Sequence, residues 1–195
     1  MVSKLPVIGE GDDGGARNVK VPVDAAPYSS DRPLAVRDVL DVAVFKGMRS
    51  GKEVYEDVVK VGKGGTLDLG KFGVAEVSGK KVERAAGAIG SLFLRSDRTS
   101  GSRITVHIRS VNGTKIVRVN GGVSRPGVIL WRPGMTAKEA IQAAGGKKSG
   151  AGESFVYVST KGAKKTLIVN SLDGSDSEAE STLIPGDIID VPVGL

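Results

Sequence analysis

Residues 123–146 read VSRPGVILWRPGMTAKEAIQAAGG, and the order of parts in this stretch decides the fold. Pro-Gly pairs stand on both sides of a short apolar run, which predicts a strand bounded by two turns. A helix is predicted to follow at once, because Thr136 and Glu139 have the spacing of a capping box. Apolar residues then recur at helical spacing, and Gly145 supplies a stop signal. The apolar stripe consists of Ala137, Ala140, Ile141 and Ala144.

Strand patterns surround this helix on both sides. Upstream, RITVHIRSV alternates apolar and polar residues, and NGT at residues 112–114 predicts a hairpin into KIVRVNGGV. Downstream, FVYVST, TLIVN and TLIPGDIIDVPV each favour a strand. One short helix can cover only one face of a mixed sheet built from these strands. We therefore predict the ββαβ arrangement of a β-grasp fold for residues 116–195.

Residues 28–115 show a similar rhythm of strands, one helix and a final strand. The stretch DVAVF alternates in the manner of a strand, and KKVERAAGAIGSLF predicts an amphipathic helix. Between them, GKGGTLDLG predicts a hairpin rather than a phosphate loop, because the phosphate-loop spacing and a following helix are missing. The sequence thus predicts an α+β protein with two small domains, residues 28–115 and 116–195, after a flexible segment at residues 1–27.

The composition narrows the classes of partner. The chain has 195 residues, a formal net charge of +6 and a sequence pI of about 9.5, which permits contact with nucleic acid, anionic lipid or acidic polysaccharide. No basic run is longer than a lysine pair and aromatic residues make up only 4%, so nucleic acid is not a predicted partner. The sequence has no cysteine, which excludes disulfides, thiolate metal sites and thiol nucleophiles.

The residue types that carry catalysis do not form a convincing pattern. His107, the only histidine, is predicted to lie partly exposed on the outward face of a strand, without the nucleophile that a Ser-His-Asp arrangement requires. Two pairs of carboxylates are candidates for acid and base: Asp38 with Asp41, and Asp187 with Asp190. Asp187 in PGD is better explained as forming a hydrogen bond within its own turn. The loop DGSDSEAES lacks the spacing of an EF-hand. We predict no enzyme, no metal site and no cofactor.

The second unit resembles the soluble ligand-binding β-grasp (SLBB) module. That family has the shape V-x-G-x-V-x-x-P-G, then G-x-T-x-x-x-A-I-x-x-A-G-G, and finally L-x-P-G-D-x-I-x-V-P. The matching positions here are Val119, Gly121, Val123, Pro126, Gly127, Gly134, Thr136, Ala140, Ile141, Ala144, Gly145, Gly146, Leu183, Pro185, Gly186, Asp187, Ile189, Val191 and Pro192. The resemblance implies a β-grasp with one helix across a mixed sheet.

The first unit is similar to the polysaccharide biosynthesis and export domain that usually precedes such a module. The matching positions are Asp38, Val39, Val42, Val44, Phe45, Val61, Gly65, Leu67, Leu69, Gly73, Gly79, Ile104, Val106 and Ile108. Three positions depart from that pattern: Arg37 replaces a turn glycine, Gly70 replaces a proline, and Lys81 replaces a helix-capping threonine.

Together the two resemblances imply a non-enzymatic component of a capsular or exopolysaccharide export apparatus in the periplasm, associated with the outer membrane. They also imply a homo-oligomeric ring in the full-length context, working beside an inner-membrane polysaccharide co-polymerase or kinase. No window reaches the about 20 apolar residues of a membrane helix, and the first residues lack the apolar core of a signal peptide. We therefore expect the chain as given to be soluble. The outer-membrane members that it resembles carry a lipid-anchored cysteine and a C-terminal membrane helix or third module, so the resemblance implies either a soluble fragment of a longer protein or a short periplasmic relative without the pore-forming part. The alternative is a stand-alone module for a small ligand or a protein partner.

Four residues are candidates for ligand contact. An indole can serve as a flat platform for a sugar, and a neighbouring guanidinium can hold a uronate or phosphate, which makes Trp131 and Arg132 candidates. Trp131 can equally cap the core or form an oligomer contact, since tryptophan favours both places. Lys147 and Lys148, in the glycine-rich loop after the helix, are further candidates.

Overall fold

The structure is a computed structural model of the chain. It describes residues 28–47, 51–96, 102–149, 151 and 182–193, together with the backbone of the strands at 155–160 and 163–168. The flexible segment predicted at residues 1–27 and the acidic loop at residues 173–181 lie outside the described residues.

The described residues form strands and two α-helices in the order that the sequence predicts for an α+β fold. The strands are β1 (Val39–Lys46), β2 (Lys52–Lys60), β3 (Thr66–Asp68), β4 (Val74–Glu76), β5 (Ile104–Val111), β6 (Thr114–Gly121), β7 (Gly127–Leu130), β8 (Phe155–Thr160), β9 (Ala163–Ile168) and β10 (Ile188–Val191). The helices are α1 (Val82–Arg95) and α2 (Ala137–Ala143), with a short 3₁₀ helix at Gly70–Phe72.

One mixed sheet runs through both units in the order β2-β1-β5-β6-β10-β8-β9, and β7 joins it by pairing with β6. β10 runs parallel to β6, whereas the other pairs in this sheet are antiparallel. The predicted hairpin between β5 and β6 is confirmed: Asn112 has φ 50° and Gly113 has φ 76°, the left-handed values that a tight two-residue hairpin turn requires. The α+β fold with a mixed sheet is therefore confirmed.

Two hydrophobic clusters pack on this sheet. The first contains buried residues of α1, β1 and β5 together with Ile116 of β6 and Val128 of β7. The second contains buried residues of α2, β6 and β10, among them Val117 and Val119 of β6. Ile116 and Val117 are consecutive residues of β6 and therefore point to opposite faces of the sheet. Each of them belongs to a different cluster. Both clusters are assembled on the same continuous sheet, and the domain boundary between residues 115 and 116 stays a prediction.

The start of α2 has the geometry that its sequence predicts. Thr136 Oγ1 accepts a hydrogen bond from Glu139 N at 3.2 Å, and Thr136 N donates to Glu139 Oε2 at 3.0 Å, which completes the capping box. The chain leaves the helix through Gly145, whose φ of 83° is left-handed. This local chemistry fixes both ends of a helix of only seven residues.

The glycine-rich stretch at residues 62–65 is a turn, but the predicted hairpin is wrong. β2 pairs with β1, and β3 pairs with β4, so the two strands that the turn joins do not pair with each other. The turn is instead bound to the end of β4, because the amides of Val77 and Ser78 both donate to Gly65 O, at 3.0 and 2.9 Å.

Lys81 is the N-cap of α1 and forms no side-chain capping bond. Its backbone is already extended, with φ −67° and ψ 157°, as an N-cap requires. We expect Lys81→Thr to raise the free energy of unfolding by about 1 kcal/mol, because a hydroxyl would accept a bond from a free amide of the first turn. Urea denaturation followed by circular dichroism measures the change. Lys81→Val is the control: an equal gain there would mean that loss of the lysine charge, not capping, causes the effect.

Arg37 occupies a backbone conformation that suits glycine. Its φ is 76°, and it stands third in a turn closed by a 3.1 Å bond from Asp38 N to Ala35 O. We expect Arg37→Gly to stabilise the protein by about 0.5–1 kcal/mol, since relief of left-handed strain exceeds the added entropy of the unfolded chain. Thermal unfolding tests this expectation. Val36→Gly has no positive φ to relieve and should destabilise, so a gain in both variants would contradict the explanation.

The backbone conformation at Gly70 explains why the chain has glycine here and not the proline of the export-domain pattern. Its φ is 61°, a value that a proline ring cannot adopt. Its amide donates to Asp68 Oδ1 at 2.9 Å, and proline has no such donor. The chain therefore makes a different turn at this position.

Candidate functional site

A groove of about 440 Å³, here named the central groove, lies between the β1–β5 face of the first unit and the turn before β10. Its lining combines charged, hydroxyl and apolar side chains. The lining residues are Asp41, Ala43, Phe45, His107, Arg109, Ser110, Gly113, Lys115, Ile184, Pro185 and Asp187.

The turn at residues 184–187 forms one wall of the central groove. Asp187 Oδ2 accepts a 2.9 Å bond from Ile184 N, which confirms the predicted role of this carboxylate in its own turn. The turn is bound to β6, because Gly186 N donates to Ile116 O at 2.7 Å and Arg118 N donates to Asp187 O at 2.9 Å. Residues from the end of the chain thus complete a groove that begins on β1.

Arg109 connects three neighbouring strands at the edge of the groove. Its Nε donates to Asp41 Oδ1 at 2.8 Å, and its Nη2 bonds Glu56 Oε1. Burial lowers the pKa of Arg109, but the bonds to the two carboxylates outweigh burial and raise it overall. The guanidinium therefore remains charged and is held in one orientation.

His107 is buried, so the predicted partly exposed position is wrong. The residue is 3% exposed. Its Nδ1 lies 2.7 Å from Gly186 O, and the ring is edge-on to Phe45 with 5.2 Å between centroids. Burial lowers the pKa to about 4, with smaller contributions in the same direction from Arg118 and Arg109, while the bond to Gly186 raises it. The turn at residues 184–187 covers His107 on the face of β5 that its alternation predicts to be exposed.

The structure places Trp131 at the edge of the second cluster. Its Nε1–H donates to Leu183 O at 2.8 Å, and Lys115 Nζ lies 5.2 Å from the ring centroid. Lys115 also lines the central groove, so Trp131 adjoins the groove through that lysine. Arg132 is exposed and forms a 2.7 Å ion pair with Glu139. A ligand role for Trp131 and Arg132 stays a prediction.

Lys147 and Lys148 lie at the other end of α2. Lys147 forms an isolated bridge with Val123, and Lys148 N donates to Gly122 O at 2.9 Å. Trp131 and Arg132 precede α2 and the two lysines follow it, and a helix of seven residues spans about 10 Å. The ligand role of the two lysines is likewise untested.

The carboxylates considered for acid–base chemistry have structural partners. Asp38 accepts from Arg32 at 2.9 Å and from Ala35 N at 2.8 Å, and Asp190 accepts from Asn120 at 2.9 Å. Among the described residues, no group of three His, Cys, Asp or Glu side chains lies close enough to hold a metal ion. The arrangement is suited to binding polar ligands.

Residues 116–169 match the protein family described as the SLBB domain. The matched range runs from β6 through β9 and includes α2. This match supports the SLBB part of the resemblance and the interpretation of this region as a ligand-binding module. No curated protein matches the chain significantly. In the part of the chain that the structure describes, neither helix is long and apolar enough to cross a membrane.

Proposed function

We propose that this chain is a non-enzymatic component of a capsular or exopolysaccharide export apparatus, acting in the periplasm or at the outer membrane. The observation that carries the proposal is the SLBB match at residues 116–169, directly after a unit that resembles the export domain. In the export proteins that the chain resembles, the export domain also precedes such a module. The single sheet that continues through β5, β6 and β10 supports their joint action.

The central groove supports contact with the polymer. Asp41 and Arg109 offer fixed hydrogen-bonding groups for sugar hydroxyls, and Phe45, Ile184 and Pro185 offer apolar surface for the C–H faces of the rings. A passage must release the polymer that it admits. We therefore expect millimolar rather than micromolar binding per subunit.

Deletion of the gene in its own host tests the proposal. We expect surface and secreted polysaccharide to fall severalfold while polymer accumulates inside the outer membrane, and a plasmid copy to restore export. Total carbohydrate in the secreted, surface and periplasmic fractions is the measurement. Unchanged surface polysaccharide in the deletion strain would reject the export role.

Assembly into a ring is part of the proposal. Among the described strands, β2 and β9 stand at the two ends of the sheet order. An edge strand presents backbone groups that can pair with a neighbouring subunit. The full-length protein in a membrane mimic should form a closed homo-oligomer, which native mass spectrometry detects. In the cell, this ring would work beside an inner-membrane co-polymerase or kinase. Detection of monomers alone would contradict this part.

The second candidate function is a stand-alone module for a small ligand. The volume of the central groove, about 440 Å³, lies in the range of small-molecule sites and favours this candidate. A glycan array and calorimetry with small metabolites separate the two functions. Tight, saturable binding of one small molecule with no glycan response would support the second candidate over export.

A further inference from the structure

A second cleft, here named the basic cleft, lies where β1 ends and where β2 and β5 begin. Its volume is about 590 Å³. Three separate segments of the first unit and the 3₁₀ helix supply its walls. The lining residues are Lys46, Gly47, Lys52, Glu53, Val54, Lys71, Phe72, Ser102 and Arg103.

The basic cleft is strongly cationic. Lys46, Lys52, Lys71 and Arg103 line it, with Glu53 as the one carboxylate of the lining. The central groove, by contrast, is lined by two cations, Arg109 and Lys115, and two carboxylates. The two sites therefore differ in the charge of the ligand that they favour, and the basic cleft favours an anion.

The strand register brings two of these cations together. Lys46 and Lys52 are directly opposite each other in the β1–β2 pair. Arg103 is adjacent, because Gly47 N donates to its carbonyl at 2.9 Å. Neighbouring strands lie about 4.8 Å apart, close to the length of one sugar residue. The backbone positions of Lys46 and Lys52 are thus separated by about the length of one sugar residue.

Lys71 is held at the cleft by an aromatic stack. Its Nζ lies 5.2 Å from the centroid of the Phe72 ring, and Phe72 stacks on Phe93 with 4.1 Å between centroids. The cation–π contact restricts the lysine before any ligand binds. With Phe93 and Lys71 against its ring, Phe72 is a poor platform for a nucleic acid base.

We infer that the basic cleft binds the carboxylate groups of an acidic polysaccharide, such as consecutive uronate residues. This inference rests on the proposed function for the identity of the polymer and deepens it by naming the charge class. A membrane surface is disfavoured, because none of the exposed large apolar side chains of the described residues lines the cleft. A nucleic acid is disfavoured by the covered Phe72 ring.

Calorimetry of the full chain with an oligogalacturonate tests the inference. The cleft variant carries Lys52→Gln, Lys71→Gln and Arg103→Gln; these three residues form no salt bridge with another residue that the structure describes. The matched control carries Lys60→Gln, Lys63→Gln and Arg84→Gln, which are exposed, lie outside the cleft and remove the same charge. A neutral oligosaccharide and a single-stranded DNA oligomer of the same length are the comparison ligands.

We expect the acidic oligomer to bind and the neutral one not to bind. The cleft variant should weaken binding about tenfold, and the control variant less than about threefold, because distant exposed charges are screened by salt. Equal weakening in both variants, or no binding of the acidic oligomer, would overturn the inference. DNA that binds as tightly, with the same dependence on the cleft, would overturn the assignment to a glycan. The single variant Lys71→Gln gives the same test if the triple variant does not fold.

The two proposals fail separately. If oligogalacturonate binds through the cleft but the deletion strain exports normally, the proposed function is rejected. The cleft would then still be a site for an acidic ligand. If the deletion strain loses export and the cleft variant restores it fully, the export function stands. The role of the cleft in export would then be rejected.

Discussion

Gly121→Ala is expected to lower the free energy of unfolding by more than about 4 kcal/mol or to prevent folding. A Cβ at this position would lie 1.9 Å from the carbonyl oxygen of Val191 and 3.0 Å from its carbonyl carbon. Both contacts are with backbone, which cannot move aside as a side chain can. The φ of 83° adds strain for any L side chain. Urea denaturation followed by circular dichroism measures the change, with soluble yield as the readout if the variant does not fold.

Gly134→Ala is the matched control for this substitution. Gly134 has a similar φ of 78°, but a Cβ there would meet no atom within 4 Å. This variant should lose only the about 1–2 kcal/mol of left-handed strain. Equal losses in the two variants would mean that backbone conformation, not close approach to β10, makes Gly121 important.

The expected loss at Gly121 bears directly on the central groove. Gly121 is the partner of Val191 in the parallel β6–β10 pair, and Gly122 N donates to Val191 O at 2.9 Å. A side chain at Gly121 would push β10 away from β6. The turn at residues 184–187 leads into β10 and forms one wall of the groove, so it would shift with the strand. We therefore expect ligand binding in the groove to be lost together with stability.

Features of the fold that depend on neighbouring residues could be predicted from the sequence. The capping box links Thr136 and Glu139, three residues apart, and the β5–β6 hairpin depends on the pair Asn112 and Gly113. The turn role of Asp187 is equally local, because its side chain bonds the amide of Ile184. In each case one short stretch contains both the signal and the partner.

The functional surfaces could not be predicted in the same way. The central groove brings Arg109 of β5 together with Asp41 of β1 and with a turn more than 70 residues further along the chain. The basic cleft likewise collects cations from separate segments, whereas the net charge of +6 gives no location. Alternation along a strand shows which residues share a face, but it does not show whether another segment covers that face. Trp131 illustrates the same limit, because its partners Leu183 and Lys115 are distant in sequence.

Burial of His107 makes the stability of the protein depend on pH. The folded pKa of about 4 lies below the ordinary value of 6.5, so the unfolded chain binds a proton between these pH values and the native protein does not. The free energy of unfolding should therefore fall as the pH drops from about 6.5 to about 4. The expected contribution of this one group is about 3 kcal/mol. Below pH 4 both states are protonated, and the contribution does not fall further.

His107→Asn isolates this effect. The asparagine amide nitrogen takes the place of Nδ1 and can donate to Gly186 O, but it does not titrate. The variant should therefore lose about 3 kcal/mol less stability over the same pH range. The carboxylates are common to both proteins, so their contribution cancels in the difference. The chain has one histidine, so NMR of its single imidazole gives the folded pKa directly. Parallel pH profiles for the two proteins, or an imidazole that titrates near 6.5 in the native state, would show that the 184–187 turn does not bury His107.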